Sequence, residues 1–88
     1  MKPYNDIFPL ENTFIRTFSE NVNEEELIWH RDKKNREIKV MDGIGWFLQY
    51  DNQLPIQMII GKTYYIKAEE YHRILRGKNN LILEIKEK

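Results

Sequence analysis

Hydrophobic and polar positions alternate along most of this chain in short runs, and each run stops at turn-forming residues. Thr13 to Phe18 reads as a first strand, with Phe14 set against Ile15 and then Phe18. After the polar stretch Ser19 to Glu26, alternation resumes from Leu27 to Asp32. It places Leu27, Trp29 and Arg31 on one face and Ile28, His30 and Asp32 on the other. Lys33-Lys34-Asn35 reads as a hairpin turn, and Glu37 to Met41 as a strand with Ile38 and Val40 on one face. Asp42-Gly43-Ile44-Gly45 is the strongest turn signal, because Asp-Gly suits tight hairpins. Trp46 to Asp51 is the next strand, closed by Asp51-Asn52-Gln53 and Pro55, and Ile56 to Ile60 another, ending at Gly61. Thr63 to Ile66 is rich in β-branched and aromatic residues, as strands are. Lys67 to Tyr71 has room for one helical turn. His72 to Leu75 and Leu81 to Lys86 are the last strands, separated by the turn Arg76-Gly77-Lys78-Asn79.

No helix of twelve residues is predicted anywhere. Short strands at regular spacing with turns between them indicate an all-β sandwich or barrel. The opening segment differs: Pro3 and Pro9 forbid a continuous helix around Ile7, Phe8 and Leu10 and suit an extended arm. That arm either lies across its own sheet or packs on a second subunit, as in a homodimer. The expected organisation is an arm over residues 1–12 and a single β domain over 13–88.

Composition narrows the class. A chain of 88 residues supports one modest core. Lys plus Arg and Asp plus Glu number 14 each, a balance that speaks against nucleic-acid or membrane-surface binding. The absence of cysteine excludes disulfides, thiolate catalysis and Cys-based zinc sites, and suits a reducing compartment. With no long apolar stretch and no leader-like start, a cytoplasmic location is expected. There is no phosphate-cradling Gly-rich loop, no nucleophile elbow and no His-Glu-x-x-His.

Two stretches resemble the two halves of the cupin signature. The second half runs glycine, five residues, proline, one residue, glycine, two residues, histidine, three residues, asparagine. Here Gly61 is followed at those spacings by Lys67 for the proline, Glu69 for the glycine, His72 and Arg76. The first half runs histidine, one residue, histidine, three or four residues, glutamate, six residues, glycine. His30 matches its first histidine and Asp32 stands for the second. Arg36, with Gly43 six residues beyond, or Glu37, with five, occupies the glutamate position. The resemblance covers roughly Glu25 to Lys86 and implies a double-stranded β-helix, the short jelly-roll barrel of that family.

Residues two apart on a strand share a face, so His30 and Asp32 project into one space. The resemblance brings His72 to join them. Two imidazoles and a carboxylate suit Fe, Mn, Ni or Zn as divalent ions with open positions. Arg36, Trp46, Gln49 and Tyr65 are the candidate ligand contacts beside the metal candidates His30, Asp32 and His72. If Arg36 points inward it pairs with Asp32 and makes a cleft for a polar or anionic molecule; if Glu37 does, the metal set gains a carboxylate. Adjacent strand residues face opposite ways, so one of the two is inside. Trp29, Trp46, Phe47 and Tyr65 serve foremost as core, with one or two free to line the mouth. Two readings follow: a cupin-like protein binding a divalent metal and/or a small polar ligand, or a metal-free barrel acting as a binding or interaction module. For an enzyme, the resemblance implies an isomerase, epimerase or dioxygenase.

Overall fold

Along β2, β3 and β8 the buried side chains are apolar and stand two or four apart, and this parity decides which way each strand faces. The computed structural model describes residues 4–19 and 27–88. Its strands are β1 (Tyr4–Leu10), β2 (Thr13–Phe18), β3 (Arg36–Asp42), β4 (Phe47–Tyr50), β5 (Ile56–Gln57), β6 (Thr63–Ile66), β7 (His72–Leu75) and β8 (Leu81–Glu87). They form a five-stranded sheet in the order β1-β2-β8-β3-β6 and a three-stranded sheet in the order β5-β4-β7. All pairings are antiparallel. Among the described residues there is no helix, and so none able to cross a membrane.

The core fills the space between the sheets. Phe14 and Phe18 of β2, Ile38 and Val40 of β3, Ile66 of β6 and Leu81, Leu83 and Ile85 of β8 meet Leu48 of β4 and Ile74 of β7 there. Full burial of aliphatic side chains of this size contributes about 1.5–3 kcal/mol each. The segment expected as an extended arm is β1 from Tyr4 onward, paired with β2 at the edge of the larger sheet. The Glu24-Glu25-Glu26 part of the polar stretch lies outside the described residues.

Three expectations need correcting. Asp42 to Gly45 does not close a hairpin, because β3 and β4 lie in different sheets. The turn carries the chain from one sheet to the other, packed against the equivalent crossing at 77–79: Lys78 N–H donates to the Ile44 carbonyl at 2.8 Å and Ile44 N–H to Asn79 Oδ1 at 2.6 Å. A Cβ on Gly77 would stand 2.3 Å from both the Ile44 carbonyl oxygen and the Trp46 ring, so the two crossings meet only because glycine is there. The strand expected at Ile56 to Ile60 pairs at two residues, Ile56–Gln57. Leu27 to Asp32 is not a sheet strand either. Its one β-bridge to the barrel among the described residues is between His30 and His72.

Candidate metal centre

That bridge builds the site. His30 N–H donates to the His72 carbonyl at 3.0 Å, and His72 N–H returns a bond to the His30 carbonyl at 2.9 Å. Residues directly opposite across such a pair place their side chains on the same side. The two imidazoles therefore meet, with ring centroids 4.3 Å apart at 62°. Two residues on, Asp32 is fixed by its own carbonyl, which accepts from Glu69 N–H at 2.7 Å. Glu69 has φ 65° and so adopts the left-handed conformation that a glycine takes easily. The spacing to His72 thus survives without the motif's glycine.

Both histidines are oriented by backbone carbonyls. His30 Nδ1 lies 3.1 Å from the Ile28 carbonyl oxygen, and His72 Nδ1 lies 2.8 Å from that of Glu70. A carbonyl can only accept, so each Nδ1 carries the proton and each neutral ring keeps its free lone pair on Nε2. His72 Nε2 then faces Asp32 Oδ2 at 3.3 Å. With His72 neutral, two lone pairs would meet there, and Oδ2 is buried without a well-directed hydrogen bond. Such an arrangement calls for a cation between the atoms, either a proton or a metal. One ligand atom from each of His30, Asp32 and His72 lies within 4.8 Å of the others, so the donor set fits a metal ion.

Arg36 is inside. It shares the parity of Ile38 and Val40, and its Nη1 stands 3.2 Å from Asp32 Oδ2. Its Nε and Nη2 bond Glu87 Oε2 at 3.0 and 2.9 Å, across the β3–β8 register that sets the two residues opposite. Glu37 faces away and meets Lys88 Nζ at 3.5 Å. Burial works to raise the Asp32 carboxyl, but the His72 contact and the Arg36 charge outweigh it, holding the group below its usual value. Burial, with the second imidazole close by, pushes His30 down.

The cluster opens on a cavity of about 330 Å³ walled by Phe18, Ile38, Ile66, Ile74, Leu83 and Ile85. Arg16 also lines it, held in a two-bond fork by Asp6 at 2.8 and 3.0 Å with its guanidinium 3.6 Å above the Tyr4 ring. Sequence reasoning missed Arg16 and Glu87. Parity offers the signal: Arg16 lies midway between buried Phe14 and Phe18, and Glu87 continues the row Leu83, Ile85.

The other ligand candidates are not at the cavity. Trp46 is fully buried where the two crossings meet, its Nε1–H bonded to the Asn79 carbonyl at 2.7 Å. Gln49 lies on the outward face of the β4–β7 pair, opposite in parity to buried Leu48, accepting from Arg73 Nε at 2.8 Å and donating to the Gln53 carbonyl at 2.9 Å. Tyr65 has the opposite parity to Tyr64 and Ile66, and its side chain is exposed.

No protein-family model and no curated protein matches the sequence. Solved structures do. A chain from the crystal structures of two DMSP lyases superposes with TM-score 0.73 at 12% identity, over 86% of this chain and 37% of that one. HppE in its Fe(II) form gives 0.69 at 12%, over 97% and 50%. A protein from Neisseria meningitidis gives 0.64 at 12%, over 97% and 82%. The fold is the cupin jelly roll. HppE has also been crystallised with Co(II). This chain spans about half or less of the lyase and HppE chains, and at this identity the likeness is one of fold.

Proposed function

We propose that this cupin barrel binds one divalent transition metal through Nε2 of His30, Nε2 of His72 and an oxygen of Asp32, at the edge of a cavity that takes a small polar or anionic molecule. The observation that carries the reading is the convergence of His72 Nε2 on the buried Asp32 Oδ2 at 3.3 Å, an oxygen with no well-directed hydrogen bond, beside the second imidazole of His30. The carbonyls of Ile28 and Glu70 fix both imidazoles in the metal-ready tautomer, the outer-shell arrangement that raises ligand basicity. Three protein donors leave positions open, and an ion so held acts as a Lewis acid toward an oxygen of the bound molecule. The apolar walls offer hydrophobic contact to that molecule, and the guanidinium of Arg36 offers the charge to orient it.

One observation favours a second reading. Arg36 already contacts Asp32 Oδ2 at 3.2 Å, which suits a metal-free anion binder in which Arg36 and the two histidines are the donors. Titration of tag-free protein with Co(II) separates the two. The metal reading expects saturable binding at one ion per chain, with d–d absorption, lost in His72→Ala. Absence of saturable binding leaves the metal-free reading.

A further inference from the structure

Arg36 holds two carboxylates that differ in how firmly they are placed. Glu87 stands opposite it in the ladder of the larger sheet, bonded at 2.9 and 3.0 Å, so the architecture itself maintains that pair. Asp32 comes from the irregular stretch outside the sheet and meets Arg36 by one contact of 3.2 Å. The same Asp32 oxygen faces His72, so Arg36 and an incoming metal compete for one atom. Charge points the same way. Around the cavity the guanidinium groups of Arg16 and Arg36 face the carboxylates of Asp6, Asp32 and Glu87, leaving one uncompensated negative charge while the histidines are neutral. A divalent ion turns that into one uncompensated positive charge. A monoanion restores balance.

Resting on the metal reading above, we infer that Arg36 is an exchangeable counter-ion. The metal takes Asp32 from it, Glu87 keeps the guanidinium in place, and the released Nη1 anchors the anionic group of a ligand whose apolar body lies against Ile38, Ile66, Ile74 and Leu83. Metal and monoanion therefore bind with positive coupling, and the ligand class is a small monoanion, such as a carboxylate, with a hydrocarbon portion. A cavity of about 330 Å³ lies at the small end of ligand sites.

The test is a Co(II) titration of the tag-free protein with and without butyrate at constant ionic strength, with 1-butanol as the uncharged control. Butyrate tightens Co(II) binding roughly fivefold or more, and butanol leaves it unchanged. Arg36→Gln tightens Co(II) binding roughly tenfold in the absence of butyrate, since a fixed cation beside the ion is gone, and abolishes the butyrate effect. Glu87→Gln weakens Co(II) binding, because Arg36 then has Asp32 as its remaining carboxylate. The wild-type comparison needs no variant to fold. Equal Co(II) affinity with butyrate, butanol or neither overturns the inference while the metal reading stands, as does a butyrate effect that persists in Arg36→Gln. A wild-type chain that binds no Co(II) removes both.

Discussion

Replacing Asp32 by asparagine exchanges one carboxylate oxygen for an NH2 group at nearly constant shape and removes one charge, so its effects on stability and on metal binding separate cleanly. Without metal, Arg36 keeps both bonds to Glu87, and no guanidinium is left stranded. The loss is then one contact to Arg36 at 3.2 Å around a side chain 14% exposed, while toward His72, 3.3 Å away, the amide N–H can meet the Nε2 lone pair. A change of about 1 kcal/mol in apo stability at neutral pH is expected, the usual worth of a partly compensated polar contact. Metal binding responds far more strongly. Two unit charges about 4 Å apart at an effective dielectric of ~20 interact by about 4 kcal/mol, and a divalent ion doubles this. If a quarter survives replacement of the carboxylate by water, about 2 kcal/mol remains, roughly a thirtyfold weakening. Calorimetric Co(II) titration, paired with thermal unfolding of the metal-free protein, reads both numbers. A variant that binds Co(II) within threefold of wild type refutes Asp32 as a ligand. The acid limb adds a check. The folded-state value of Asp32 lies below its ordinary 3.8, so its contribution is present above that pH and is lost as pH falls through the folded value. The Asp32→Asn substitution removes that part of the acid sensitivity.

Three further outcomes are expected. His30 is held below its ordinary 6.5, so the unfolded chain takes up a proton that the folded one resists, and metal-free stability rises as pH climbs from the lowered folded-state value toward 6.5; His30→Asn flattens this slope in thermal melts, and an unchanged slope removes the assignment. Glu69→Gly relieves the left-handed backbone at φ 65° and raises stability by about 0.5 kcal/mol despite loss of the exposed contact to Arg31, whereas a lowered melting temperature contradicts the turn geometry. Gly77→Ala forces a methyl into the Ile44 carbonyl and the Trp46 ring, each 2.3 Å from its position, and costs more than about 2 kcal/mol; a loss below about 1 kcal/mol in denaturant unfolding speaks against the meeting of the two crossings.

What the chain disclosed in advance was local. Thr13–Phe18, Thr63–Ile66 and His72–Leu75 are strands at the bounds their alternation suggests, because each buries one row of side chains and shows the other to solvent. The turn after β3 was misleading for a physical reason. Asp-Gly specifies a sharp reversal, but whether the next strand pairs beside the last or crosses to the other sheet depends on Trp46 and Gly77, far apart in sequence. Leu27 to Asp32 alternates like a strand yet finds no continuous partner, so its register rests on the His30–His72 bridge. The site was legible where motif spacing and pleat parity agreed, at His30, Asp32 and His72. The choice between Arg36 and Glu37 stayed open in the sequence and is decided by the structure, where Arg36 shares the parity of the inner row Ile38 and Val40. Trp46 and Tyr65 resemble pocket residues in composition, but one is spent on the core and the other points outward. Glu87 escaped notice because its meaning lies in a cross-strand pairing fifty-one positions away from Arg36.

The central claim is that the two imidazoles and Asp32 share a metal ion. Elemental analysis of the protein purified without an affinity tag tests it most directly. Close to one equivalent of Fe, Mn, Ni or Zn per chain is predicted in the wild type and next to none in His72→Ala. Less than about a tenth of an equivalent in the wild type, unchanged after incubation with each of these ions and desalting, contradicts it.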